Sequence, residues 1–346
     1  MITQRSYWSR ALGTSLMTLV LSVTAVGEAV AVSLKGAGAT FPAPLYQRYF
    51  TQLQRDTQIT VSYEAVGSGA GIERFIADTV DFAGSDAPPS ESQINQMPKG
   101  LVRVPTAGGA VAVVFNLPGV SQLKLSREAL AGIFLGTITT WNDRKIAREN
   151  PGINLPNLSI QPVVREDSSG TTYIFTRHLS AINPKFKKEV NVSTQPNWLG
   201  SPLKGQQNEG VAATVQQTEG AIGYVQDSYA RQNQLPTAFI ENIAGEYVQP
   251  SLKNTYEALS NVRFYQDFSA ANLKDPDSGY PIIGITWILV KKQYETGEKA
   301  TAIQTMVSWM MNEGQGLNEG LEYTRIPDSI AASAVEVVKN NVAFNQ

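Results

Sequence analysis

Three short segments combine glycine with a hydroxyl residue and run straight into an amphipathic helical pattern: Gly36-Ala37-Gly38-Ala39-Thr40, Gly67-Ser68-Gly69-Ala70-Gly71 and Asp167-Ser168-Ser169-Gly170-Thr171. The first turn of a helix leaves backbone N–H groups without intrahelical partners and carries partial positive charge, so it holds a small oxyanion without a full cation. Glycine lets the backbone approach closely, and a Ser or Thr hydroxyl adds a further donor. One such junction is ordinary, because Ser and Thr are also the usual N-caps and most capped helices bind nothing. Recurrence three times points to anion sockets.

The densest group of chemistry-bearing side chains is Arg165-Glu166-Asp167-Ser168-Ser169-Gly170-Thr171. The arginine fork suits two oxyanion oxygens, and Asp167, two residues on, can hold the guanidinium still while capping the helix. The same residues also read as a surface ion pair beside a simple N-cap; their place at the carboxyl end of a strand, where open α/β sheets bind ligands, favours a site. Val80-Asp81-Phe82-Ala83-Gly84-Ser85-Asp86-Ala87-Pro88 ends a short strand in a carboxylate and a proline turn. Asp86 either caps that turn or sits in the anion site. In an anion site a carboxylate repels its ligand unless the ligand donates a proton. Phosphate near neutral pH has such a proton; sulfate does not, and would face a buried like charge at a cost of a few kcal/mol.

Other chemistry finds little support. His178 is the sole histidine, and helical rise puts it about 13 Å from Ser169, too far for a nucleophilic pair; it reads as a core or surface histidine. With one histidine, no cysteine and no Asp-x-Asp loop of the calcium type, no metal site is expected. Gly67–Gly71 lacks the third glycine of a dinucleotide fingerprint, because position 72 is Ile, and no Gly-Lys-Ser/Thr marks a nucleotide loop. No cofactor is expected. Trp141, Trp198, Trp287 and Trp309, like Trp8 in the leader, read as packing residues.

These sockets need strands to aim them. Ile59, Val61, Tyr63 and Ala65 alternate as a strand before the second loop, and Ile72, Phe75, Ile76 and Val80 follow at helical spacing. Leu34 leads into the first loop and on to Leu45, Tyr49 and Leu53; Leu158, Ile160 and Val164 lead into the third and on to Phe175, Leu179 and Ile182. Such strand–loop–helix units predict an α/β fold with largely parallel sheet. Ala110–Phe115 and Ile282–Val290 are apolar without alternation, as strands covered on both faces are. Crossings beside them, near Ala107–Ala110 and Gly284–Trp287, would give a discontinuous first lobe (32–108 and 285–346), a continuous second lobe (109–284) and a cleft between. A chain of 346 residues, 42% hydrophobic, has material for both. The turn-rich stretch Ala270–Tyr280 is expected on the surface.

Residues 1–31 read as an export signal: Arg5 and Arg10, an apolar run around Ala11–Val26, then Ala29-Val30-Ala31 as the cleavage site. Without cysteine there is no disulfide and no lipid anchor, so a soluble protein outside the inner membrane is expected. The formal charge is −2; the leader removes two arginines and one glutamate, a net +1, leaving −3. That balance offers no general footprint for nucleic acid or anionic lipid.

Six segments in order, Gly36–Pro44 (GAGATFPAP), Gly67–Gly71 (GSGAG), Val80–Pro88 (VDFAGSDAP), Leu135–Asp143 (LGTITTWND), Arg165–Thr171 (REDSSGT) and Gly220–Val225 (GAIGYV), resemble the phosphate-binding protein family of bacterial high-affinity phosphate ABC transporters. The resemblance runs from about Leu34 to Pro327-Asp328-Ser329. It implies a two-lobed periplasmic binding protein of type II, a monomer that closes over dehydrated phosphate and delivers it to membrane permease subunits. It also implies phosphate contacts from Thr40, Phe41 (backbone N–H), Ser68, Asp86, Arg165, Ser169, Gly170 and Thr171, with Asp167 orienting Arg165. One departure is Ser168, where the family often has glycine. A phosphate sensor or scavenger that feeds no transporter shares these features, and a secreted phosphatase would need a nucleophile or metal that is not apparent.

Overall fold

Strand β1 (Ser33–Gly38) buries Leu34 and Ala37, and its parallel neighbour β2 (Thr60–Ala65) exposes Ser62 and Glu64 between partly covered Val61, Tyr63 and Ala65, the alternation the sequence predicts. On the other side β1 pairs in parallel with β3 (Phe82–Ser85). Register sets Gly38 level with both Ala65 and Gly84, so the chain leaves all three strands at one edge. Helix α1 (Ala43–Thr57) buries Leu45, Tyr46, Tyr49, Phe50 and Leu53, a continuous stripe that seats it on this sheet. The computed structural model describes residues 1–3 and 32–344; residues 4–31, nearly all of the expected export signal, lie outside the described residues. No described helix is long and apolar enough to cross a membrane.

A second strand–loop–helix set repeats this plan. Strand β4 (Val102–Phe115) is buried along its whole length, and β5 (Gln161–Arg165) lies in parallel between β6 (Leu203–Gly205) and β7 (Ala221–Gln226). Arg165 is level with Gly205, so two loops again leave together. With β8 (Ile283–Val290) and β9 (Tyr323–Thr324) the strands form one nine-stranded sheet in the order β2-β1-β3-β8-β4-β7-β5-β6, β9 pairing with β4. Strand β4 joins its halves: Val102–Ala110 pairs with β8 and Val111–Phe115 with β7. Val111, Val113 and Phe115 enter the main core while Ala112 and Val114 enter a second one on the opposite face with Val163, Val211 and Val225. Burial on both faces explains the unbroken apolar run.

The sheet is mixed rather than largely parallel. Its outer pairings, β1 with β2 and β3, and β5 with β6 and β7, are parallel, whereas β8 with β3 and β4, β4 with β7, and β4 with β9 are antiparallel. A doubly buried strand is apolar whichever way it runs, so direction left no trace in the pattern. The stretch Ala270–Tyr280 also departs from expectation: Leu273 and Pro276 are buried, and Arg127 grips Asp275 through two bonds of 2.9 and 2.7 Å. His178 is buried beside it, its Nδ1 3.2 Å from the Lys274 carbonyl, and burial pulls its pKa down to about 4. Trp141, Trp287 and Trp309 are core residues, and Trp198 packs on Phe134, Phe186 and Tyr224.

Candidate functional site

The loops leaving β1, β2, β3 and β5 converge. Thr40 and Phe41 lie between β1 and α1; the Phe41 ring goes into the core against Tyr323, whose hydroxyl donates to the Phe41 carbonyl (2.6 Å). Helix α2 (Ser68–Ile76) begins at Ser68, not after the glycines as the loop pattern suggests, so Gly69 and Gly71 are helical. Close packing explains them: a Cβ on Gly71 would strike the Gly38 backbone, and one on Gly69 the Ser168 side chain. Helix α3 (Gly170–Ile182) is capped by Ser169, whose Oγ accepts from the Thr172 N–H (3.1 Å), and not by Asp167 as the sequence reading has it, because the helix starts at Gly170 and the Asp167 carboxyl is taken by Arg165 and the Gln207 N–H. Ser168, the departure from the family pattern, donates its hydroxyl to Thr194 Oγ1 (2.9 Å) while its carbonyl accepts from Gly69 N–H (3.0 Å), tying the third loop to the second.

Contacts among the nine sequence-derived residues run across the two halves of the sheet. Gly170 touches Asp86 and Ser68, since a Cβ there would collide with the Asp86 carboxyl and the Ser68 hydroxyl. Ser68 Oγ accepts from the Asp86 N–H (3.2 Å). Arg165 Nε donates to Asp167 Oδ1 (2.8 Å), Nη2 to Asp167 Oδ2, and Nη1 to Thr171 Oγ1 (3.4 Å). Asp167 is held from the other side by the Gln207 N–H (2.9 Å). Thr40, Ser68, Asp86, Ser169 and Thr171 are each 0–1% exposed, and the Arg165 side chain 1%. The walls therefore meet over the site.

Electrostatics separate the two carboxylates. Burial alone would raise the Asp167 pKa, but the bonds and charge of Arg165 and the Gln207 N–H outweigh it and hold the group below its ordinary value. Asp86 has neither of its oxygens in a hydrogen bond. Burial pushes its pKa up to about 7; the Thr286 hydroxyl, near it but not within a hydrogen bond, and the Arg165 charge pull the other way. Near neutral pH it thus lies where it shares a proton with a neighbour. One cation, a ring of hydroxyls and helix-start N–H groups, and one proton-sharing carboxyl suit a small oxyanion that brings a proton. A groove of about 750 Å³ between α1 and the second half is roomier, but Glu209 is its only charged lining residue.

One residue of this constellation has no counterpart in the sequence patterns. Asn208, in helix α4 (Gln207–Gln217), is fully buried and donates from Nδ2 to Thr40 Oγ1 (2.7 Å) and Thr171 Oγ1 (3.3 Å). No glycine-hydroxyl signature precedes it. The available signal was a further helix start after Gly205, hidden because β6 is only three residues long.

A family model described as "PBP superfamily domain" matches residues 23–313. The chain is 36% identical over 320 residues to the phosphate-binding protein PstS of Haemophilus influenzae, covering 91% of this chain and 95% of that one. The chain belongs to the PstS family. PstS of Methanocaldococcus jannaschii is 34% identical over 339 residues, covering 89% of this chain and 87% of that protein. In fold, this PstS relative is similar to the periplasmic phosphate-binding protein PfluDING solved with phosphate (TM-score 0.74, 24% identity, 87% and 92% coverage). The phosphate-binding protein of Stenotrophomonas maltophilia is also similar (TM-score 0.73, 20% identity, 91% and 96% coverage). The two-lobed architecture of periplasmic phosphate-binding proteins is thus the architecture of this chain.

Proposed function

We propose that this protein captures inorganic phosphate between its two lobes, without transforming it, and hands it to the permease of an ABC importer. Asp86 carries the proposal: a fully buried carboxyl with no hydrogen-bond partner, packed on Gly170 and Ser68, is best matched by a ligand that supplies the missing proton. Thr40, Phe41, Ser68, Ser169, Gly170 and Thr171 would donate to the anion, Arg165 would bind two of its oxygens, and Asp167 would hold Arg165 in place. Neutral donors keep surplus cations out of the dry site, where each charge-assisted bond is strengthened.

The lobes are taken as 32–108 with 285–346 and 109–284. The change of partner along β4 after Ala110 and the irregularity between Thr286 and Trp287 support crossings there, and such strand crossings are where a hinge would bend. Export with cleavage near Ala31, a periplasmic location and a monomeric state complete the proposal. Equilibrium dialysis of ligand-stripped protein against labelled phosphate tests it. Wild type should bind one equivalent, and Arg165→Ala, which leaves Asp167 and the anion without their cation, should bind at least about a thousandfold more weakly. Binding unchanged in Arg165→Ala, or phosphate-ester hydrolysis by the wild type, would contradict it. Phosphate uptake should fall when the gene is deleted; unchanged uptake would favour a sensor or scavenger.

A further inference from the structure

Asn208 is oriented without ambiguity. Its Oδ1 accepts from the Gln226 backbone N–H (3.1 Å), a group that only donates, so Nδ2 faces the two threonines. Each Nδ2 proton has a target, Thr40 Oγ1 at 2.7 Å and Thr171 Oγ1 at 3.3 Å. Thr171 Oγ1 also receives Arg165 Nη1 at 3.4 Å. A hydroxyl has two lone pairs and one proton. Both lone pairs of Thr171 are therefore occupied, one of Thr40 is occupied, and each hydroxyl proton must point elsewhere.

We propose that Asn208 is a positioning residue that makes the Thr40 and Thr171 hydroxyls dedicated donors toward the bound anion. A free hydroxyl rotates and can meet an oxyanion with a lone pair; donors from behind fill both acceptors of Thr171 and one of Thr40, which turns the Thr171 proton, and biases the Thr40 proton, toward the anion. One amide does this for both walls, because Thr40 follows β1 in the first half of the sheet whereas Thr171 and Asn208 belong to the second. The inference rests on the phosphate reading of the site and adds to it the group that sets hydroxyl polarity.

A double-mutant cycle separates this role from packing. Asn208→Ala and Asn208→Asp are compared for phosphate affinity in the wild-type background and in Thr40→Val/Thr171→Val, with folding checked by circular dichroism and thermal melts. Asn208→Asp keeps the shape and the acceptor for Gln226 but has no proton to give, so the hydroxyls turn toward it. Loss of two oriented hydrogen bonds predicts about 10- to 100-fold weaker binding for Asn208→Ala in the wild-type background and less than about 3-fold in the valine background. Asn208→Asp should lose more than Asn208→Ala in the wild-type background, and the excess should shrink in the valine background. Equal losses in both backgrounds, or wild-type affinity in either Asn208 variant, would overturn the proposal. Tight binding by Arg165→Ala would instead overturn the phosphate reading itself.

Discussion

At the residue scale the decisive contrast is between two carboxylates of one constellation, Asp167 and Asp86. Asp167 is satisfied by Arg165 and Gln207 and stays ionised; Asp86 is buried with no partner and has a pKa of about 7. A carboxyl with a raised folded pKa contributes stability below its unfolded pKa, near 4, and that stability is lost as pH rises through about 7. Ligand-free protein should therefore weaken from Asp86 between pH 4 and pH 8 by about 4 kcal/mol at most, and Asp86→Asn should lack that component. Urea unfolding of both proteins at several pH values checks this: the variant gains on wild type as pH rises, and parallel pH profiles would be contrary. The residues alone leave Asp86 as a turn cap or an anion-site carboxyl, and only the family resemblance groups it with the oxyanion donors; the structure packs it on Gly170 and Ser68. Asn208 was not legible, since nothing about an asparagine in a polar stretch reveals that folding buries it between two threonines.

At the element scale the site is a product of register. Gly38 level with Ala65 and Gly84, and Arg165 level with Gly205, bring loops scattered over more than a hundred residues to the same edges of the sheet. The strand–loop–helix units behind this were legible from the hydrophobic period; of the three helices α1, α2 and α3 only α3 has a side-chain cap. What escaped was direction: the central strands β4 and β8 run antiparallel because they connect the halves, and a doubly buried strand carries the same apolar run either way. Helix α3 illustrates how tightly its start is fitted. Gly170→Ala inserts a Cβ against the Asp86 carboxyl and the Ser68 hydroxyl. It should cost about 1–3 kcal/mol of stability through overpacking and, by pushing the two walls apart, should remove most phosphate binding. Thermal melts with and without phosphate read both effects; a wild-type melting shift on adding phosphate would contradict the convergence of the loops.

At the scale of the whole molecule, two halves of one sheet close on a site whose polar groups are almost wholly withdrawn from solvent. A closed site rejects a ligand by clash or by what it leaves unpaired. Asp86 has no partner for its carboxyl oxygens, and the proposed discrimination is therefore for an anion's proton rather than its size or net charge. The formal charge of the chain, −2, gives no long-range attraction for anions, which places the whole task on local geometry. Isothermal titration of ligand-stripped protein with phosphate and with sulfate at neutral pH tests this central claim most directly. The account predicts tight one-site phosphate binding, no sulfate binding, and sulfate binding gained in Asp86→Asn; sulfate bound by wild type as tightly as phosphate would contradict it.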